Sequence, residues 1–316
     1  MLLNIVILII GFVILIKGAD IFVDGSSSLA RNFKIPTIFI GLTIVAFGTS
    51  APEFAVSVQS IIKGSGEIVL GNVFGSNILN ILLIVGLSAL FHPLTVKNNT
   101  VKKELPIVLL ISSILIILVC DSVFNLGNNS FSRQDAITII LFFTVFLYYL
   151  ISLMRNHPDE SSENDVIYSI PKSLLFIALG LIGIIFGSNF VVNSASEIAT
   201  LLGVSERMIA LTVIALGTSL PELVTSITAT RKGEYDIAIG NVVGSNLFNI
   251  GIVLALPVAI FGDLTNITFN YIDLAILFIS VFLLFIFSLN DKKIDKKEGL
   301  TLLLVFILYY SYVIFG

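Results

Sequence analysis

Two carboxylates stand out in this sequence because of what surrounds them. Glu53 closes the run Ala46-Phe-Gly-Thr-Ser-Ala-Pro-Glu53, and Glu222 closes Ala215-Leu-Gly-Thr-Ser-Leu-Pro-Glu222, each within an apolar stretch long enough to cross a bilayer. An ionised carboxylate at membrane depth is costly unless it is paired. The apolar stretches contain no matching pair of basic residues, so the countercharge has to be a proton or a bound cation. A second polar run follows each copy at one fixed distance, Gly71-Asn-Val-Phe-Gly-Ser-Asn-Ile-Leu-Asn80 and Gly240-Asn-Val-Val-Gly-Ser-Asn-Leu-Phe-Asn249. Helical spacing puts Ala46, Thr49, Ser50 and Glu53 on one side of a helix, and Asn72, Ser76 and Asn80 recur every four residues on another. Every one of these groups offers oxygen, through a carbonyl, hydroxyl, carboxylate or amide. Hard oxygen donors without His or Cys suit calcium, sodium or magnesium rather than zinc or copper.

The prolines sharpen this reading. Pro52 cannot donate to the carbonyl four residues back, which predicts a released carbonyl at Gly48 and free neighbours at Ala46 and Thr49. Pro221 does the same to Gly217. Free backbone groups at membrane depth are tolerated only where protein, a water-filled cavity or an ion satisfies them, and a matched pair of interrupted helices points to a central transport site. The glycines Gly71, Gly75, Gly240 and Gly244 predict close helix approach around that site. Asn77 and Asn246 point away from Ser76 and Asn80 in helix register, so a helix-to-helix hydrogen bond and ligation both stay open for them.

The elements that must position these residues are membrane helices. The chain has 316 residues, 56% hydrophobic and 12% charged, a composition of a polytopic membrane protein. Helices of about 20 residues cross a bilayer core, and ten segments qualify: 2–29, 37–62, 68–90, 105–121, 136–154, 171–202, 207–230, 237–260, 271–289 and 299–315. Sliding the sequence against itself by 169 residues aligns 41–81 with 210–250 without a gap, with 20 of the 41 positions identical. This is an internal repeat. Five spans per copy force the second copy to enter the membrane from the opposite side. The expected architecture is therefore all-α, with ten transmembrane helices as two inverted five-helix repeats in which helices 2 and 7 are interrupted. Residues 1–154 form the first repeat, 155–170 a cytoplasmic linker, and 171–316 the second repeat.

The basic residues set the orientation. With both termini outside, the cytoplasmic loops hold Arg31, Lys34, Lys97, Lys102, Lys103, Arg155, Lys172, Arg231, Lys232, Lys292, Lys293, Lys296 and Lys297, against Lys63, Arg133 and Arg207 outside. That asymmetry satisfies the positive-inside rule and predicts a multi-pass protein of the cell membrane. Lys17 is the one basic residue placed within a span; pairing with Asp20 or Asp24 near the surface is weighed against a place on an ion path. The acidic linker around His157, the loop at His92 and the stretch Asn290 to Glu298 read as solvated surface. Cys120 is the only cysteine, so no intrachain disulfide forms.

The paired Gly-Thr-Ser-x-Pro-Glu and Gly-Asn-x-x-Gly-Ser-Asn-x-x-Asn runs resemble the two α-repeats of the cation/calcium antiporter superfamily, specifically the prokaryotic sodium/calcium exchangers. The resemblance implies ten helices, with spans two, three, seven and eight around the ion sites. It implies that Glu53 and Glu222, with the backbone of Thr49 and Thr218, ligate calcium. Sodium would use Ser50, Ser76, Ser219 and Ser245, the carbonyls of Ala46 and Ala215, and the pair Asn80 and Asn249. Calcium and sodium are then substrates, with the lipid bilayer as surroundings; no cofactor, nucleic acid or protein partner is implied. Several relatives carry aspartate where this chain has Asn249, which leaves two carboxylates rather than three and argues against potassium dependence. The expected function is a secondary antiporter exchanging sodium for calcium by alternating access. A proton-coupled calcium exchanger of the same superfamily is the nearest alternative, and a cation channel is the alternative from another class. No His-Glu-x-x-His, paired catalytic aspartates or Ser/His dyad argues for an intramembrane enzyme.

Overall fold

The computed structural model describes residues 1–124, 127–156, 168–209, 212–213 and 215–315. His157 and most of the acidic linker lie outside the described residues. Among the described residues the chain is almost wholly helical: α1 (Leu2–Phe33), α2 (Thr37–Thr49), α3 (Ala51–Ile62), α4 (Gly66–Phe91), α5 (100–119), α6 (Arg133–Asn156), α7 (Ile170–Leu201), α8 (Glu206–Ile209), α9 (Ala215–Thr218), α10 (Leu220–Arg231), α11 (Tyr235–Phe261), α12 (Tyr271–Leu289) and α13 (Lys296–Phe315). Seven of these, α1, α4, α6, α7, α11, α12 and α13, are individually long and apolar enough to span a membrane, and α2 with α3 forms one further bent span. The stretch 290–298, expected as a plain surface loop, contains a short strand instead. Strand β1 (Leu94–Thr95) pairs antiparallel with β2 (Lys293–Ile294), with Leu94 opposite Ile294. Both isoleucine and leucine are buried there, so the ladder shields apolar side chains that a solvated loop would leave wet.

Burial sorts the helices into a centre and a rim. About three quarters of the most apolar windows of α4 and α11 is buried, 72% and 78%, against 22% for α1 and 28% for α7. The exposed side of the rim helices carries Ile9, Ile16, Leu175, Leu179, Ile182 and Phe186, a face that water would not tolerate and that lipid matches. The rim helices α1 and α7 run antiparallel in close contact. A side chain at Gly18 would meet the backbone of Ile184 at 2.8 Å, and one at Gly187 the Leu15 nitrogen at 2.5 Å, so the absence of Cβ atoms lets the two backbones touch.

Two ends of the bundle can be told apart. One end holds Arg31, Lys97, Lys232, Asp236 and the β1–β2 ladder, tied together by Arg31–Glu234 at 2.7 Å, Lys232–Asp24 at 2.7 Å and Lys97–Asp236 at 2.5 Å. The other holds Lys63, Glu67, Leu264 and Asp273, tied by the Thr268 N–H donating to Glu67 and by a backbone bridge between Phe131 and Leu264. Lys17 projects from α1 with its side chain 77% exposed and its ammonium 3.8 Å from Asp20. It pairs with Asp20 and lines neither cavity described below.

Candidate functional site

Both glutamates sit in the first turn of a helix that restarts after a break. Ser50 (φ −81°, ψ 6°) separates α2 from α3, which bend by 46° relative to each other, and Ser219 (φ −88°, ψ 4°) separates α9 from α10. Pro52 and Pro221 fall at the start of the second segment, where proline's missing N–H would have had no helical partner anyway. The proline thus fixes where the new helix begins and places the glutamate in its first turn. The expectation that it also frees the Ala46 carbonyl is corrected: that oxygen accepts the Ser50 N–H at 3.1 Å and the Ser245 hydroxyl at 3.4 Å. The Ala46 turn closes before the break, so Pro52 itself denies a donor only to Gly48. In the other half the Gly217 carbonyl receives the hydroxyl of Ser188 on α7 at 3.1 Å. Ser188 aligns with Ala19 in the repeat, so no sequence signal announced it.

Around these breaks α4 and α11 cross, and nearly every contact occurs twice. The Asn72 amide donates to the Glu53 carbonyl at 3.1 Å and to Ser57 at 3.2 Å; Asn241 donates to the Glu222 carbonyl at 3.4 Å and to Ser226 at 2.9 Å. Asn72 therefore holds the main chain of the glutamate through its nitrogen. Ser57, Ser226 and Asn241 complete that support, and the identity of Ser57 with Ser226 across the repeat was the signal for them. Asn77 and Asn246 exchange amide-to-carbonyl bonds at 3.3 and 3.4 Å, and their own side-chain oxygens accept from Asn249 and Asn80, each at 3.0 Å. Of the two roles left open for them, the helix-to-helix bond is what the structure shows. Asn80 and Asn249 each open a wider, π-type turn, 80–85 and 249–254, the kind of irregularity that re-aims side chains at functional sites.

The carboxylates face one another's half. Ser50 donates to Glu222 at 3.1 Å, while Ser76 at 3.5 Å and Ser219 at 3.4 Å reach Glu53. Ser76 and Ser219 are themselves 3.3 Å apart, and Thr49 donates to the Asn241 oxygen at 3.0 Å. At this centre four buried acceptors have no hydrogen-bond partner among the described residues: Glu53 Oε2, Glu222 Oε2, Asn80 Oδ1 and Asn249 Oδ1. Buried acceptors are almost always satisfied, and here two repeat-related pairs are not. Ten of the twelve expected ligand residues gather in this buried centre, whereas Ala215 and Thr218 stand in a cavity wall. No cluster of three or more His, Cys, Asp and Glu exists among the described residues, so any ion held here rests mostly on neutral oxygens.

The symmetry is broken in one respect. A cavity of about 460 Å³ reaches from the Lys63 end to Ser76 and Thr218, past Gly71 and Gly75. A second, of about 340 Å³, reaches Pro52 and Thr218 from the α7 side, past Gln59 and Asn189. Among the described residues a Cβ added at Gly71 or Gly75 would meet nothing within 4 Å, while at Gly240 it would come within 2.9 Å of Gly41 and at Gly244 within 2.6 Å of the Ala46 side chain. Close approach is thus realised at Gly240 and Gly244, whereas Gly71 and Gly75 border the larger cavity.

An all-helical, lipid-facing bundle whose buried centre holds two carboxylates and a set of unpartnered oxygens belongs to the class of membrane proteins that handle hard cations. Residues 3–152 and 172–315 match the sodium/calcium exchanger protein family. The chain belongs to that family; it is a secondary transporter and not an enzyme. It is 38% identical over 269 residues to the inner membrane protein YrbG of Escherichia coli (strain K12), covering 82% of this chain and 81% of YrbG. It is 31% identical over 341 residues to the sodium/calcium exchanger MaX1 of Methanosarcina acetivorans, covering 97% of each. Among solved structures it resembles the sodium-calcium exchanger NCX_Mj soaked with 10 mM Na+ and zero Ca2+, with a TM-score of 0.84 at 32% identity, covering 100% of this chain and 99% of the other.

Proposed function

We propose that this protein exchanges sodium for calcium across the cell membrane by alternating access, with Glu53, Glu222, Thr49 and Thr218 holding calcium. Ser50, Ser76, Ser219, Ser245, Ala46, Ala215, Asn80 and Asn249 add the oxygens that sodium uses. The observation that carries this reading is the set of four unpartnered buried oxygens, two carboxylate and two amide, arriving as two pairs 169 residues apart. A cation supplies what all four lack, and no donor among the described residues does. Hard-oxygen chemistry agrees with calcium and sodium, and the printed names of MaX1 and NCX_Mj are those of sodium/calcium exchangers.

In this reading ten spans form two inverted repeats, 1–154 and 171–316, with both termini outside. The gathering of Arg31, Lys97, Lys232 and Lys293 at one end supports a cytoplasmic Arg31 end. Open cavities toward Lys63 and tight packing of Gly240 and Gly244 support an outward-facing state. Exchange then consists of closing the first side and parting the second. The absence of a third carboxylate at Asn249 supports potassium independence. Calcium-45 uptake into proteoliposomes under imposed sodium, proton or potassium gradients tests the whole reading. Uptake driven by sodium alone is expected; uptake driven by a pH gradient without sodium would transfer the function to proton-coupled exchange.

A further inference from the structure

Asp273 and Glu104 lie 169 residues apart, the offset of the repeat, and neither belongs to the motif runs. Each stands at the start of a membrane helix and accepts a hydrogen bond from a tyrosine on the last helix of its own half. Tyr309 of α13 donates to Asp273 Oδ1 at 3.0 Å, and Tyr149 of α6 donates to Glu104 Oε1. Two helices could be tied together by a carboxylate and a tyrosine without further purpose. Their second oxygens argue otherwise.

Asp273 forms part of the wall of the 460 Å³ cavity that ends at Ser76 and Thr218, and its Oδ2 takes no hydrogen bond from the described residues. Glu104 lies at the Arg31 end, wholly buried, with Oε2 lacking any partner. The Lys103 ammonium lies 5.5 Å from the ring of the tyrosine that holds Glu104. So the carboxylate at the Lys63 end borders a cavity, and the one at the Arg31 end is buried with an unmet oxygen.

We infer that Asp273 is a vestibule ligand for the transported cation on the Lys63 side, and that Glu104 is its counterpart for the Arg31 side, used when that side opens. This rests on the proposed exchange function. The tyrosine holds one oxygen and so fixes the carboxylate, leaving the other to meet sodium or calcium before it passes to Ser76 and Thr218. A negative group in a low-dielectric cleft focuses the local field and raises the local cation concentration.

The test uses vesicles in which the full-length protein has a single orientation, with calcium titrated from one side at a time. Asp273→Asn should raise the half-saturating calcium concentration on the Lys63 side on the order of 3- to 10-fold, with less than about a twofold change from the Arg31 side. Glu104→Gln should show the opposite sidedness, and Asp273→Glu should restore the Lys63 side. A merely structural tie would lower the rate from both sides and leave half-saturation unsided, which overturns the inference. Should Asp273→Asn not fold, Tyr309→Phe keeps the charge and the ring: a same-sided rise of about twofold supports the assignment, and unsided values overturn it. Loss of sodium-driven uptake in the wild-type protein would instead sink the functional reading on which this rests.

Discussion

Glu53 keeps one oxygen on Ser76 of its own half and Ser219 of the other, Glu222 keeps one on Ser50 of the other half, and the second oxygen of each has no partner among the described residues. Replacing either by glutamine halves the charge available to a divalent ion in a water-poor centre, where an uncompensated charge costs about 3–5 kcal/mol. Glu53→Gln and Glu222→Gln are therefore each expected to lower calcium uptake by more than about a hundredfold; near wild-type uptake by either would falsify the site. At this scale the sequence was largely readable. The carboxylates, Ser50, Ser76, Ser219, Asn80 and Asn249 could be picked out because a fixed 169-residue offset repeats them inside apolar stretches. Less readable was the division of labour among the asparagines, since Asn72 and Asn77 are chemically identical to Asn80. Only the three-dimensional crossing of α4 and α11 shows that the first two use their amides to hold backbone while Asn80 is left with a bare oxygen.

At the scale of elements, ion pairs lace the Arg31 end across the two halves of the chain, whereas the described ties across the Lys63 end are hydrogen bonds and a backbone bridge. Lys232 reaches Asp24 at 2.7 Å and Asp20 at 3.6 Å, Arg31 meets Glu234, and Lys97 meets Asp236, which also accepts from Thr37 at 2.9 Å. Shifted by the repeat offset, Asp20, Asp24 and Arg31 become Asn189, Asn193 and Thr200, and Glu234 becomes Ser65. The mirror set of ion pairs cannot form at the Lys63 end, so these bridges hold the Arg31 end together in a way the Lys63 end cannot copy. Partly exposed pairs contribute about 0.2–1 kcal/mol each. Glu234→Gln is thus expected to speed hydrogen exchange in the backbone of 231–236 by roughly 2- to 5-fold. Raising the salt concentration should do the same to the wild type, whereas protection unchanged in both would show that the bridges carry no weight. Sequence periodicity found the long helices but not this lacing. Each bridge joins residues about 140 or 200 positions apart, and only the folded repeat reveals which charged loops meet.

For the whole molecule, the proposed exchange has an electrical consequence. Two carboxylates neutralise one calcium ion, while about three sodium ions on the same oxygens leave one positive charge in excess. Moving that charge through 100 mV is worth about 2.3 kcal/mol, so sodium-driven calcium uptake should carry current and respond to a valinomycin-set potential. Uptake that needs sodium but ignores potential would mean a two-to-one exchange, with Asn249 having removed a sodium position; Asn249→Asp should then restore the response. The four glycines carry a different kind of consequence. Gly240 and Gly244 are seated against Gly41, Leu42 and Ala46, whereas Gly71 and Gly75 line the larger cavity and meet no described side chain. Because the motif stretches of the two halves repeat, with 20 of 41 positions identical, the tightly seated pair Gly240 and Gly244 has a counterpart pair beside the larger cavity. A single methyl can therefore act as a wedge with a chosen side. Gly75→Ala fits the present arrangement and obstructs its mirror image, so it should retain calcium binding from the Lys63 side while slowing turnover. Under the proposed alternating access Gly244→Ala should do the reverse, prising open the Arg31 end, and the two substitutions together should stop turnover from both sides.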